Sequence, residues 1–263
     1  MSNKSVWNFW AGVYNSLAAQ AVSLAPTRRY VLERLADQPL AGRRILDIGC
    51  GTGQLLADMA ALARTQASSV TTPAMSGFME PELWGIDYSA RMIEEAARLL
   101  PKARLLCMDV ADLAVMPDLS DFSSLPVTVV ENPALELSAV PESNAGSIKL
   151  EASAAGFDLI TCTHSLPYYA DAQKAIHDMM GLLKPGGQLL LAHASSAYVY
   201  DRLFMSLVKL TTGRAKYYRP EELAAMLGDA GKIIALELFK TRFWLPNFVF
   251  LQAQKPAQGD CIL

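Results

Sequence analysis

The stretch ILDIGCGTG, residues 45–53, places three glycines at alternate positions directly behind a short apolar run. The apolar run predicts a buried strand, and an amphipathic segment that begins at Gln54 predicts a helix. Glycine lets the backbone approach a bound molecule closely, and the helix N-terminus adds N–H groups without intrahelical partners. We therefore expect a ligand at this turn. A tight turn without a ligand is the alternative, but close packing explains one glycine better than three.

Apolar runs and amphipathic segments alternate after this stretch, which is typical of an α/β sheet. The last two apolar runs are separated only by TRFWLPN, residues 241–247, which is too short for a helical crossover, so they should pair antiparallel. The pattern predicts a seven-stranded, mostly parallel sheet with an antiparallel C-terminal hairpin. The predicted strands are 44–49, 83–88, 104–110, 157–163, 188–194, 233–239 and 248–254, and the predicted helices are 27–36, 54–64, 90–100, 172–183 and 220–227.

Two segments do not fit this alternation. Residues 66–81 are polar and rich in turn formers, and residues 114–155 contain four prolines and six acidic side chains against one lysine. Both are interpreted as insertions into a single domain that covers residues 1–263. The sequence leaves open whether the longer insertion is a small β subdomain or a mobile flap.

Composition excludes several classes of protein. The formal net charge of -3 and the absence of a basic cluster argue against a nucleic-acid partner. No apolar run is long enough to span a membrane, and polar residues interrupt the apolar N-terminal stretch where a secretory signal should be continuous. The four cysteines form no C-x-x-C pair, so neither a metal site nor a disulfide framework is indicated. A cytoplasmic protein without a metal is expected.

Acidic residues end the next two predicted strands. Asp87 ends the second, where a carboxylate can accept hydrogen bonds from both hydroxyls of a ribose, and Asp109 ends the third, where it can accept from an adenine amine. A helix cap or a turn is the alternative role for each. The glycine spacing differs from the G-x-G-x-x-G of dinucleotide sites, because the third glycine comes one position early, so NAD is disfavoured.

At this point the chain resembles the class I S-adenosylmethionine-dependent methyltransferases, in particular the ubiquinone/menaquinone-type and related small-molecule enzymes. The similarity covers roughly residues 27–255, apart from both insertions. Its motifs are highly specific when they are taken together. It rests on ILDIGCGTG (45–53), GIDYSARMIEEA (85–96), LLCMDVADL (105–113), FDLITCTHSL (157–166), LLKPGGQLLLAH (182–193) and YYRPEELAAMLGDAG (217–231). The resemblance implies a Rossmann-like, doubly wound fold and S-adenosylmethionine as the cofactor.

The resemblance also implies a role for each matching position. Residues 1–26 look like the family's N-terminal lid, in which Tyr14 would close over the cofactor. The methionine end would lie along Asp47 and the backbone of Gly49, Gly51 and Gly53, with Thr161 by the amine. The remaining contacts are Asp87 on the ribose hydroxyls, Tyr88 and Met92 beside the adenine, and Asp109 with Val110 at the adenine edge.

The acceptor is expected to be small and aromatic or lipophilic, because residues 196–218 are rich in apolar and aromatic side chains. Whether it offers an oxygen, nitrogen or carbon atom stays open. His164 is the candidate general base and Tyr168 a candidate acceptor contact, although a packed histidine is an equally good interpretation of His164. A lipidic acceptor would add peripheral membrane contact. A silent cofactor-binding module and a nucleotide-dependent oxidoreductase are the alternatives.

Overall fold

The computed structural model describes residues 23–69, 78–115, 156–212 and 215–257. Within them the chain forms seven strands and six α-helices in alternating order. The strands are β1 Arg44–Ile48, β2 Glu82–Asp87, β3 Arg104–Cys107, β4 Phe157–Thr163, β5 Leu183–Ala194, β6 Lys232–Phe239 and β7 Phe248–Gln254. The helices are α1 Ala25–Leu35, α2 Gln54–Ser69, α3 Ala90–Leu99, α4 Ala172–Leu182, α5 Val199–Thr212 and α6 Pro220–Leu227.

The strands form one sheet in the order β3-β2-β1-β4-β5-β7-β6. Strands β1 to β5 pair in parallel, and β7 lies antiparallel between β5 and β6. The predicted α/β fold, with its mostly parallel sheet and antiparallel C-terminal hairpin, is therefore confirmed. The strand order reverses between β1 and β4, which is the position at which open sheets of this kind bind ligands.

The sheet has a buried cluster on each face. Leu46 packs with residues of α4 and α6, whereas its neighbour Ile45 packs with residues of α1, α2 and α3. Because successive side chains of a strand point to opposite faces, helices cover both sides of the central strands. This arrangement is the doubly wound architecture that the sequence predicted, and it leaves the carboxyl edge of the strands as the place for a site.

Local sequence explains where several helices begin. The Ser89 hydroxyl accepts a hydrogen bond from the N–H of Met92 (3.3 Å) and caps α3. The Asp171 carboxylate does the same for α4 through the N–H of Lys174 (2.9 Å). These caps fix the two helices that flank the carboxyl edge of β2 and β4.

Several elements differ from the prediction. Strand β5 begins at Leu183, five residues before its predicted start. Helix α2 runs to Ser69, four residues into the predicted loop 66–81, because the Gln66 amide bridges to backbone groups at the end of α1, including the N–H of Leu40 (3.1 Å). Strand β3 ends at Cys107, and Val110–Val115 forms a 3₁₀ helix. Helix α5 was not predicted. Most of the predicted lid 1–26 and insertion 114–155 lie outside the described residues.

Candidate active site

The glycine loop between β1 and α2 is shaped by backbone that other residues rarely adopt. Gly49 has φ 73°, and its N–H donates to the carbonyl of Ile86 (2.7 Å). A Cβ at Gly49 would overlap Ser165, which follows β4. The loop is thus pressed between the ends of β2 and β4. Glycine is required at this position by both conformation and space.

The third glycine is crowded by a neighbouring helix. Gly53 also has a positive φ, 78°, and a Cβ there would meet Leu100 at 3.0 Å and Ala96 at 3.1 Å. Its lack of a side chain therefore lets the start of α2 pack against α3. Gly53 is not among the residues that line the two cavities at this edge of the sheet, and its place along the cofactor stays a prediction.

Asp87, at the end of β2, holds the glycine loop and faces the larger cavity. Its carboxylate accepts from the N–H of Gly51 (3.0 Å) and from the N–H of Ser89 (2.9 Å). Burial raises the pKa of the Asp87 carboxyl to about 6, and the two N–H donors oppose that rise. Each carboxylate oxygen accepts one backbone N–H, so each has a further lone pair that can accept from a ligand hydroxyl.

Asp47 lies deeper in the sheet, on β1. Its carboxylate accepts from the Thr161 hydroxyl (2.7 Å), which the parallel register of β1 and β4 brings opposite it. Burial, with the nearby Asp87 carboxylate, raises the pKa of Asp47 to about 7, although the Thr161 hydroxyl lowers it. Asp47 lines a small side cavity of about 50 Å³, together with Arg28 and Thr163.

Thr161 holds the Asp47 carboxylate. Its side chain is fully buried and lines neither cavity, and its hydroxyl donates to Asp47. Thr163, two residues further along β4, lines both cavities. The predicted contact of Thr161 with the cofactor amine stays a prediction.

A larger cavity of about 780 Å³ runs along the carboxyl edge of the sheet. This volume lies within the usual range of sites for small molecules. Its first half, which we call the nucleoside end, lies above β1, β2 and β3. Seven of the predicted cofactor contacts line this half: Gly49, Gly51, Asp87, Tyr88, Met92, Asp109 and Val110. Tyr14 lies outside the described residues.

Two polar groups at the nucleoside end have capacity for a ligand. The hydroxyl of Tyr88 is buried and has no hydrogen-bond partner. Asp109 is exposed two residues beyond β3, and one of its oxygens accepts from the N–H of Ala111 (3.0 Å). The turn role that the sequence offered as the alternative for Asp109 is therefore present, and its second oxygen stays available.

The second half of the cavity, which we call the acceptor end, lies beyond β4 and β5. It is lined by apolar and aromatic side chains, and two histidines supply its basic groups. These residues are His164, His193, Ala194, Phe204, Met205, Val208, Tyr217, Trp244, Leu245, Pro246 and Phe248. The same cavity is also lined by charged residues of α4 and its N-cap, which are Asp171, Lys174 and Asp178.

His164 occupies the junction between the two cavities. It has φ 62°, a left-handed conformation that no other described non-glycine residue shares, and its ring packs edge-on against Phe248. Its Nε2 is buried without a hydrogen-bond partner. Burial, with the His193 ring and the Arg28 guanidinium, lowers the pKa of His164 to about 3. The ring is therefore neutral at physiological pH.

His193, on β5, was not among the candidates from the sequence. It is 1% exposed, and its Nδ1 lies 2.8 Å from the carbonyl oxygen of Ala194. Because a carbonyl only accepts, Nδ1 carries the proton, and the buried Nε2, which has no partner, is a lone-pair acceptor. Burial lowers the pKa of His193 to about 4. The segment LLLAHA is typical of a buried strand, so the sequence did not indicate a functional role for its histidine.

Two tyrosines follow β4. Tyr168 lines the cavity close enough to Tyr88 to influence its hydroxyl, and its predicted contact with the acceptor stays a prediction. The hydroxyl of Tyr169 donates to Ser165 (2.9 Å), whose own hydroxyl donates to the carbonyl of Ile48 (3.0 Å). This chain of hydrogen bonds supports the glycine loop from below.

Comparison with known proteins identifies the family. A model described as "Methyltransferase domain" matches residues 25–232, and the chain belongs to this methyltransferase family. A ubiquinone biosynthesis O-methyltransferase from Xanthomonas axonopodis pv. citri (strain 306) is 30% identical over 218 residues, which are 80% of this chain and 70% of that protein. One from Coxiella burnetii (strain RSA 331 / Henzerling II) is 34% identical over 83 residues, 28% of this chain. The chain matches 36% of the length of this second relative.

A solved structure supports the fold. The N-methyltransferase NodS from Bradyrhizobium japonicum WM9, in complex with S-adenosyl-L-homocysteine, superposes with a TM-score of 0.60. The match covers 97% of this chain and 100% of that one at 16% sequence identity. At this level of identity the similarity establishes the architecture, and the chemistry has to be argued from the site.

Proposed function

We propose that this protein transfers the methyl group of S-adenosylmethionine to a small, apolar acceptor, at an oxygen atom. The observation that carries the proposal is the continuity of the cavity. One end has the groups that suit a nucleoside, and the other end is lined mostly by apolar and aromatic side chains together with two neutral histidines. The printed name of the Xanthomonas relative, an O-methyltransferase of ubiquinone biosynthesis, supports the choice of oxygen.

The residues at the nucleoside end fit S-adenosylmethionine. Asp87 keeps one acceptor position on each oxygen for the two ribose hydroxyls, and the buried Tyr88 hydroxyl lacks a partner. Asp109 would accept from the adenine amine through its second oxygen. The small cavity beside Asp47 and Arg28 has groups of both signs, as an amino acid requires.

The bound cofactor would supply a methyl group on a positively charged sulfur, which needs no activation by the protein. The task of this chain is then to orient the acceptor and to exclude water. The apolar lining formed by Phe204, Met205 and Phe248 does both, and proximity of this kind is worth several kcal/mol. A proton released by the acceptor has to move to a nearby base, and the histidines are the groups available at that end.

A lipophilic acceptor would reach the cavity across an apolar surface. Helix α5 and the β6–β7 loop expose large apolar side chains beside the cavity mouth. They are Tyr198, Val199, Tyr200, Leu203, Leu207, Phe243 and Trp244. We infer that this face contacts a membrane at its surface, because scattered exposure is common but a contiguous apolar patch is not. Within the residues that the structure describes, no helix has the length and apolarity to cross a membrane.

Calorimetric titration tests the cofactor directly. S-adenosylhomocysteine should bind the purified protein, and NAD should bind more weakly, because the glycine spacing and the apolar acceptor end do not suit a second nucleotide. Tighter binding of NAD would overturn the proposal in favour of an oxidoreductase. Cofactor binding without any methylated product from a set of phenols, carboxylates and amines would favour a silent binding module.

A further inference from the structure

A fully buried carboxylate lies behind the acceptor end. Asp201, in the first turn of α5, accepts hydrogen bonds from the backbone N–H groups of Tyr198 (3.1 Å) and Asn247 (2.9 Å). The side-chain amide nitrogen of Asn247 lies 3.0 Å from both carboxylate oxygens. These donors satisfy a group that would be strongly unfavourable to bury without partners. Asp201 thus binds the β6–β7 loop from inside the protein.

Asp201 joins two segments that line the acceptor end. The α5 side chains that line the cavity follow Asp201 after three, four and seven residues, on the same face of the helix. They are Phe204, Met205 and Val208. Asn247 lies between Pro246 and Phe248, which also line the cavity. The bonds between Asp201 and Asn247 therefore connect the α5 side of the acceptor end with the side formed by the β6–β7 loop and β7.

Apolar packing holds α5 less firmly than the helices that cover the sheet. Of the α5 side chains that the structure describes, residues 199–209, Met205 is the one buried apolar side chain. It packs in a small third cluster with Ala194 and Phe248, while Leu203 and Leu207 are exposed. Apolar contacts have no preferred direction, whereas hydrogen bonds require defined distances and angles. The placement of α5 beside the cavity thus depends on the Asp201 carboxylate.

We propose that Asp201 is a positioning residue for the methyl acceptor: its carboxylate holds α5 against the start of β7 and so sets the size of the apolar space that receives the acceptor. The inference rests on the proposed function and deepens it, because it names a residue that determines acceptor binding. Asp201 does not itself line the cavity and acts through the side chains of Phe204, Met205 and Phe248. Cofactor binding at the nucleoside end should not depend on it.

A neutral fluorescent probe tests the acceptor end without a known acceptor. N-phenyl-1-naphthylamine is apolar, and its fluorescence rises in apolar surroundings. The wild type, saturated with S-adenosylhomocysteine, should bind this probe. Val208→Trp adds a large side chain to the cavity lining and should abolish the binding, which locates the probe at the acceptor end. Ser206→Ala is the matched control, because Ser206 is exposed on the same helix and its hydroxyl donates to Arg202 within α5.

Replacement of either partner should weaken probe binding selectively. Asp201→Asn should raise the dissociation constant of the probe at least about tenfold and that of S-adenosylhomocysteine less than about threefold. The new amide has one oxygen, so its NH₂ group faces a donor of the β6–β7 loop. Asn247→Ala removes the side-chain amide but keeps the backbone N–H, and should raise the probe's dissociation constant at least about threefold. The Tyr200 hydroxyl still donates to the carbonyl of Trp244 in both variants and keeps α5 attached.

An exchange of the two side chains separates positioning from a general loss of stability. Asn247→Asp places two carboxylates against each other and should weaken probe binding more than Asp201→Asn does. In the double variant an amide again donates to a carboxylate, so the probe should bind more tightly than it binds either single variant. Losses of probe affinity that simply add would contradict a specific link between the two side chains. Thermal unfolding identifies the variants that are folded at the assay temperature.

The outcomes distinguish this inference from the proposed function. If S-adenosylhomocysteine binds but Asp201→Asn leaves probe affinity unchanged, the positioning role is wrong and the cofactor assignment stands. If Asp201→Asn does not fold, unchanged probe affinity in Asn247→Ala has the same meaning. Equal losses of probe and S-adenosylhomocysteine affinity, or probe binding that is absent in the wild type or survives in Val208→Trp, also overturn the role. If S-adenosylhomocysteine does not bind the wild type, the proposed function fails and the positioning role falls with it.

Discussion

Replacement of Asp87 by asparagine should weaken cofactor binding without unfolding the protein. In the structure, the carboxylate accepts two backbone N–H groups and keeps two positions for ribose hydroxyls. An amide has one oxygen, so one ribose hydroxyl loses its acceptor and one N–H donor faces an NH₂ group. Since burial already raises the pKa of Asp87 to about 6, a neutral side chain is well tolerated in the fold.

The magnitude follows from the value of a hydrogen bond to a charged group. Such a bond contributes about 1.5–3 kcal/mol, which corresponds to a roughly 10- to 150-fold increase in the dissociation constant of S-adenosylhomocysteine. The wild type should also lose about tenfold in affinity between pH 7.5 and pH 5, because binding requires the ionised carboxylate and protonation competes below pH 6. The pKa values of His164 and His193, about 3 and about 4, keep both rings neutral across most of this range.

Isothermal titration at both pH values is the assay, with Asp112→Asn as the matched control. Asp112 is an exposed carboxylate near the same edge of the sheet and does not line the cavity. Its replacement should change neither the affinity nor the pH dependence. Asp47 titrates in the same range, so Asp87→Asn should reduce the pH dependence rather than abolish it. An unchanged dissociation constant for Asp87→Asn at pH 7.5 would refute the ribose assignment.

Three further outcomes are expected. Gly49→Ala should abolish measurable S-adenosylhomocysteine binding and destabilise the protein more than Gly186→Ala, because both have φ above 70° but only Gly49 is crowded; equal losses would contradict the close approach. The folded-state pKa of Asp47 is raised, so its contribution to stability is present at low pH and is lost as pH rises from about 4 to 7. Urea unfolding should show that this contribution, about 2–3 kcal/mol between pH 5 and pH 8, is missing in Asp47→Asn, which keeps only the smaller loss due to Asp87. Parallel pH profiles of the two proteins would exclude this origin. Leu207→Gln should reduce co-sedimentation with phospholipid vesicles, whereas Leu99→Gln, an exposed leucine on α3, should not; equal sedimentation of both would argue against the membrane face.

The fold was largely predictable because its signals are local. The apolar runs, the glycine loop and the short connection between the last two strands each dictate an element or a pairing without reference to distant residues. The end of α2 was predicted less well, since Gln66 stabilises it through backbone groups at the end of α1, about thirty residues away in the chain. Helix α5 was missed because its apolar residues face both the cavity and solvent and so lack a clear period.

Site residues at the ends of strands could be predicted from the sequence. Residues whose surroundings depend on packing between distant elements were predicted less well. Asp87, Tyr88 and Met92 reach the cavity as predicted, because strand termini converge at one edge. The surroundings of Thr161 and Gly53 were not predicted, because only the strand register brings Thr161 to Asp47 and only the packing of α3 crowds Gly53. The Nδ1 of His193 donates to the carbonyl of its neighbour Ala194, and no pattern in the sequence predicts that contact.

The central claim, that one cavity holds a nucleoside at Asp87 and a methyl acceptor beyond β4 and β5, is tested most directly by a crystal structure of the protein with S-adenosylhomocysteine bound. The account predicts both ribose hydroxyls within hydrogen-bond distance of the Asp87 carboxylate, and a sulfur atom that faces the apolar space in front of His193. A ligand whose ribose lies away from Asp87, or whose sulfur is closed off from His193 by protein, would contradict it.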